Sequence, residues 1–275
     1  MSEKPIKKKI EIVPMGSYVD LDQEGYIVNP TSYDKIQPHW RPLIRDTVEY
    51  YQHLLNDGLD SVFVRGSVAK GEAVDGVSDL DTFAYATKRT TNEYLGMQQF
   101  QEEVANKFAF CKGVEIGVYD VGECDSNASG NIQALQVYGD PIDQPKLRPG
   151  RDMVRNTPGI FNRIANNELK LETLETDPNP ERVMLACVWL MKELLRIGVE
   201  LTYERSGRFT RDLYLCYKDF SEFYPDYSDQ MLHILDLALN PSDSIPDIRY
   251  ARDSVLGLLQ SEAVRMGLAK PQLHR

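Results

Sequence analysis

The chain has 275 residues, with 31 Lys+Arg against 42 Asp+Glu for a formal net charge of −11, and 42% of it is hydrophobic. That composition excludes a disordered chain, a collagen-like repeat and a small disulfide scaffold, and the length accommodates about two domains at ~150 residues each. A chain this acidic repels polyanions, which argues against a nucleic-acid binder or a nucleic-acid-extending enzyme.

The elements follow in chain order. The basic run Lys7-Lys8-Lys9 precedes Ile10-Glu11-Ile12-Val13-Pro14, too short an apolar segment for a secretory leader. Residues 10–13 and 26–28 read as strands around a turn at 20–25. Residues 38–56 predict a helix, since Leu43, Ile44, Val48, Tyr51, Leu54 and Leu55 recur every three or four positions and Gly58 stops it. Residues 61–65 read as a buried strand, 79–86 as a second, 91–108 as a helix, 114–121 as a third strand and 135–138 as a fourth. A Pro-, Asp- and Gly-rich linker at 140–149 separates these from a helical half. There, residues 159–175, 181–197, 209–223, 228–239 and 248–266 predict helices, and 181–197 is apolar nearly all round, the mark of a buried bundle helix. The expected fold is α+β, a sheet-bearing domain at 1–140 followed by a C-terminal α-helical bundle at 150–275.

No apolar stretch approaches the ~18 residues of a membrane span. Cys111, Cys124, Cys187 and Cys216 show no metal-binding spacing and read as reduced thiols, so a cytoplasmic protein is expected. Residues 1–140 hold 13 Lys+Arg against 22 Asp+Glu, so −9 of the charge lies in the first half. Bound cations, a cationic substrate or plain solubility would each account for that.

The chemistry concentrates between Val62 and Asp81. Gly66 and Gly71 have the spacing of a P-loop, but Glu72-Ala73 stand where Lys-Ser/Thr is required, and that reading fails. Asp79 and Asp81, two apart on a strand, put both carboxylates on one face, where a divalent cation relieves their repulsion. Gly66-Ser67 at the end of the preceding strand lets a phosphate approach the backbone. Glu115 lies on the face of its strand opposite Val114, Ile116 and Val118, and joins the pair if that strand neighbours 79–86. Arg205, Arg208 and Arg211 cluster before a helix, either as a solvated basic turn or as a reach toward phosphate. The aromatics from Tyr203 to Tyr224 read as bundle core, and His39 has no evident partner.

Gly66-Ser67, an eleven-residue gap, Asp79-Leu80-Asp81 and the later Glu115 together resemble the signature of the polymerase-β-type nucleotidyltransferase superfamily. The run Gly66-Ser67-Val68-Ala69-Lys70-Gly71-Glu72-Ala73 is similar to its small bacterial members, the minimal and the aminoglycoside nucleotidyltransferases. The resemblance covers about residues 60–140 and implies a nucleotidyltransferase-fold mixed sheet. It also implies roles. Asp79 and Asp81 would hold Mg²⁺, Gly66, Ser67 and Ser78 the phosphates of an NTP such as ATP, and Lys70 would neutralise phosphate charge. Glu115 would ligate metal or take the acceptor's proton. The implied reaction moves AMP to a hydroxyl of a small acceptor, with a cationic aminoglycoside-like antibiotic favoured. AMP transfer to a protein, or a non-catalytic antitoxin-type module on the same fold, are the other readings. A homodimer is compatible with all three.

Overall fold

The computed structural model describes residues 9–87, 96–123, 131–143, 145–150, 152–153, 160–176 and 179–268. The chain divides into two compact units, Asp20–Leu147 and Met1–Val19 with Arg148–Arg275. The division falls inside the Pro/Asp/Gly-rich linker, and the segment up to Val19 groups with the helical half.

In the unit Asp20–Leu147, a short 3-10 turn, Pro38–Trp40, leads into α1, Arg41–Leu55. Four strands follow, β1 Leu59–Arg65, β2 Leu80–Ala86, β3 Val114–Asp120 and β4 Ala134–Tyr138. They form one sheet in the order β3-β2-β1-β4. β1 pairs antiparallel with β2 and with β4, whereas β2 and β3 run parallel, so the sheet is mixed. The parallel pair needs a crossover, and α3, Met97–Lys107, lies in it. Between β1 and β2 the chain makes one short helix, α2 Gly66–Lys70.

Strand alternation sorts the side chains by face. The even-numbered residues Val64, Leu80 and Val114 pack with Trp40, Leu43 and Ile44 of the 3-10 turn and α1, and with Phe100 and Val104 of α3. Tyr51 of α1 covers Val62, Ala84, Ala86 and Val118. The opposite face carries another apolar cluster, Phe63, Phe83 and Tyr85 with Ala134 of β4. Further along that same face the odd positions turn polar: Arg65, Asp81, Glu115.

The buried Tyr51 hydroxyl lies 3.0 Å from Thr82 Oγ1 and donates to the Gly117 carbonyl at 3.2 Å, while Thr82 Oγ1 donates to the Glu115 carbonyl at 2.6 Å. Burial pushes the Tyr51 phenol well above its usual range, so it stays a neutral donor. Tyr51 thus pins β2 against β3 at the acidic positions. Tyr51→Phe should cost about 1 kcal/mol in chemical denaturation, because buried groups lose a hydrogen-bond partner. An unchanged midpoint would show the bond adds nothing.

In the other unit the helices are α4 Ile160–Thr176, α5 Pro180–Glu200, α6 Tyr203–Ser206, α7 Leu213–Phe223, α8 Ser228–Leu239 and α9 Ile245–Arg265. Asn179 caps α5, accepting from the Glu181 and Arg182 amides at 3.0 and 3.3 Å. α5 is the buried helix its pattern predicts, packed by α4, α7, α8 and α9. Leu185 departs from that pattern and is 72% exposed. Inside the unit the buried Arg163 reaches Glu193 at 2.9 Å and both oxygens of Glu200 at 2.8 and 2.7 Å. Such a buried ion cluster holds together only because each charge is paired.

The expected strand at 10–13 does not form. Ile10 instead exchanges backbone bonds with the Asn240 amide, at 2.7 and 2.9 Å, and Val19 donates to the Phe209 carbonyl at 2.8 Å. Ile10 is thus held by a side chain of the helical unit, and residues 10–13 pair with no strand among the described residues. Residues 20–28 keep their turn, closed by one Leu21–Ile27 bridge. The α+β class expected from the sequence is the class observed, a mixed sheet with helices plus a helical unit. Among the described residues no helix is long and apolar enough to cross a membrane.

Candidate functional site

Register builds the site. Arg65 stands opposite Asp81 across β1 and β2, and Asp81 stands opposite Glu115 across β2 and β3. Three ionisable side chains therefore form a row across the sheet, on the face that carries the Phe63–Phe83 stack. Arg65 Nη2 donates to Glu115 Oε1 at 3.2 Å, and its guanidinium lies 5.7 Å from the Phe83 ring centre. Asp81 is half-buried and Glu115 exposed.

The Asp81 carboxyl is pushed up to about 7, by burial before any other cause. A hydrogen bond to Glu115 and the charges of Asp79 and Glu115 contribute to that rise, and Arg65 opposes it. In the metal-free chain Asp81 thus keeps a proton and shares it with Glu115 up to near neutrality. β2 begins at Leu80, so Asp79 occupies the exposed lead-in to the strand. That lead-in is fixed by backbone bonds, Leu80 N to Gly113 O at 2.9 Å and Lys112 N to Ser78 O at 3.0 Å.

The turn after β1 closes on the same carboxylate. Gly66 has φ +73°, and a Cβ there would collide with Asp81 Oδ2, so glycine is the residue that fits. Ser67 Oγ donates to Ser78 Oγ at 3.2 Å, and Ser78 Oγ accepts from the Val74 amide at 2.9 Å. The two hydroxyls named from the sequence thus meet, although eleven positions separate them. Lys70 ends α2, half-buried, with no acidic partner among the described residues.

Among the described residues no three His, Cys, Asp or Glu side chains are gathered as a metal site. Asp81 and Glu115 are adjacent, and Asp79 acts on Asp81 through its charge. The donor set is nonetheless all carboxylate oxygen, the chemistry Mg²⁺ selects. A proton shared between two acids marks a repulsion that a divalent cation would relieve. The residues fit such an ion.

Other expectations find their places. His39 does have a partner: Nε2 lies 2.9 Å from Asp75 Oδ1, and its ring packs edge-on to Phe110. Their separation of 36 positions hid the pair from sequence reading. Arg208 is occupied by Asp219 and Glu222 at 3.0 and 2.9 Å, and Arg205 lies over Phe223 and Tyr224. Their charge and stacking are used inside the helical unit. Cys111, Cys187 and Cys216 are free, buried thiols, while Cys124 lies outside the described residues. A cavity of about 260 Å³, lined by residues of α1 and α3 including Asp46, His53 and Phe100, lies on the other side of the sheet from the acidic row. Arg65 was not singled out from the sequence. Its signal was a lone charge ending the apolar run Val62-Phe63-Val64, directly before Gly66-Ser67.

No family model matches the sequence, and no curated protein matches it. Among solved structures, the chain is similar to spectinomycin adenyltransferase AAD(9) from Enterococcus faecialis, crystallised with ATP and spectinomycin. The identity is 12%, over 78% of this chain and 99% of that one, with a TM-score of 0.42. A likeness that loose assigns no chemistry, which has to come from the side chains themselves.

Proposed function

We propose that this chain is a divalent-cation-dependent nucleotidyltransferase that moves AMP from ATP to a hydroxyl of a small acceptor and releases pyrophosphate. The observation that carries the reading is the parallel register placing Asp81 beside Glu115, with the Gly66-Ser67 turn against the same carboxylate.

Asp79 and Asp81, with or without Glu115, are the residues that would hold Mg²⁺. When bound, the ion neutralises charge on the triphosphate and orients it for in-line displacement. The backbone of Gly66 and the hydroxyls of Ser67 and Ser78 grip the terminal phosphates, and Lys70 adds positive charge there. The acceptor oxygen bonds to the α-phosphorus, its proton passes to a Glu115 oxygen, and the bond to the β-phosphate breaks. Pyrophosphate leaves, its charge met by Lys70 and the turn's donors.

The acidic surplus of residues 1–140 suits a cationic acceptor, and with the family resemblance it favours an aminoglycoside-like antibiotic. An ATP-consuming reaction suits a cytoplasmic protein. The test mixes the chain, Mg²⁺ and α-labelled nucleoside triphosphates with a panel of aminoglycosides. Labelled antibiotic is expected, and Asp79→Asn and Asp81→Asn should abolish it. Label on protein would instead identify a protein AMP-transferase. Nucleotide binding without any transfer would identify a binding module and overturn the proposal.

A further inference from the structure

We propose that residues 35–39 form a strap for the loop 71–78, and that His39, paired with Asp75, is a positioning residue that sets the affinity for nucleotide. The inference rests on the nucleotidyl-transfer reading above, in which Ser67 and Ser78 grip the triphosphate, and adds what holds those hydroxyls in place.

The loop has little to hold it by itself. α2 ends at Lys70, and residues 71–79 reach β2 without helix or strand. Ala73 is buried in the core that α1 and α3 share with the sheet, but Val74 and Val77 are 56% and 67% exposed. Beyond Ala73 the loop therefore lacks an apolar anchor.

A second segment runs alongside it in constant register. A Cβ on Gly71 would meet the Lys35 carbonyl oxygen, Gln37 Nε2 donates to the Ala73 carbonyl at 3.0 Å, and His39 Nε2 lies 2.9 Å from Asp75 Oδ1. Each contact joins residues 36 positions apart. The strap is itself seated, since Ile36 and Trp40 are buried in the same core. The His39 ring packs edge-on to Phe110, whose carbonyl accepts from the Gly76 amide at 2.6 Å. The Ser78 hydroxyl takes its place from the Val74 amide at 2.9 Å, and Val74 lies between the two strapped residues, Ala73 and Asp75.

The His39 and Asp75 side chains are 43% and 59% exposed, so their bond adds little to global stability. Its effect falls on the loop. It raises the fraction of chains whose Val74 amide and Ser78 hydroxyl are set for phosphate, and apparent affinity scales with that fraction.

The experiment titrates the full-length chain with Mg²⁺ and a non-hydrolysable ATP analogue by calorimetry. It compares wild type, His39→Phe, which keeps a ring against Phe110 but loses the bond, Asp75→Ala, and the double variant. Each single variant should weaken Kd by about fivefold, the scale of one exposed charged pair. The double should also lose about fivefold, where independent residues would lose about 25-fold. Denaturant midpoints should stay at the wild-type value, and in the labelled-transfer assay KM for ATP should rise while kcat holds. An unchanged Kd in either single variant, or losses that multiply in the double, would overturn the inference. So would a midpoint that falls with the affinity, the mark of a merely structural pair. If wild type binds the analogue but transfers no label, the nucleotidyl-transfer reading fails and the Kd comparison still decides the strap. If wild type does not bind the analogue, both fail.

Discussion

Gly66→Ala is expected to abolish nucleotidyl transfer and to destabilise the chain by about 2–3 kcal/mol, the sum of a left-handed alanine and a displaced carboxylate. At φ +73° an added Cβ meets Asp81 Oδ2, so either the turn or the carboxylate must move. Gly76 is the internal control. It has nearly the same φ, +74°, but nothing lies within 4 Å of where its Cβ would be. Gly76→Ala should therefore cost about 1 kcal/mol from backbone strain alone and leave transfer near the wild-type rate. Denaturant midpoints and initial transfer rates on both variants decide it. Equal losses of activity in the two would show that the contact between Gly66 and Asp81 is irrelevant.

Asp81→Asn should lose transfer by at least about 10³-fold, through loss of transition-state electrostatics, yet gain stability in the metal-free protein at pH 8. The sign follows from linkage. The Asp81 carboxyl is raised to about 7, by burial first and then by Glu115 and Asp79. The stability associated with its proton is complete below about pH 4 and is lost as pH rises through about 7. Metal-free wild type should lose about 1–3 kcal/mol across that window, a range that allows for partial exposure. Asparagine keeps a donor for Glu115 and has nothing to ionise, so the variant should show a flat profile there. Adding a divalent cation at pH 8 should restore wild type and leave the variant unmoved. A variant less stable than metal-free wild type at pH 8 would refute this account of Asp81.

Much of this was legible in the residues, for reasons that differ by element. The β1 and β2 runs and the Gly66-Ser67 and Asp79-Leu80-Asp81 spacing are local patterns, and local patterns survive folding. Glu115 was conditional, since alternation along one strand fixes a face but says nothing about which strand lies alongside. The parallel register supplied that partner. Arg65 escaped notice because a charge at the end of an apolar strand looks like a boundary, and only pairing puts it opposite Asp81. The His39–Asp75 pair is likewise non-local. The failed strand at 10–13 had the right composition, but Ile10 bonds to the Asn240 side chain instead of to a partner strand. Arg205 and Arg208 show the converse. A basic cluster looks available in sequence, whereas in the fold Asp219, Glu222 and two aromatic rings occupy it.

In the proposed reaction the Asp81–Glu115 site cuts ATP between its α- and β-phosphates. The direct measurement follows α- and γ-labelled ATP with Mg²⁺ and the acceptor panel, for wild type and Asp81→Asn. Nucleotidyl transfer puts α-label on the acceptor and γ-label only in pyrophosphate, with both lost in the variant. Label from the γ-position on the acceptor, or transfer undiminished by Asp81→Asn, would contradict it.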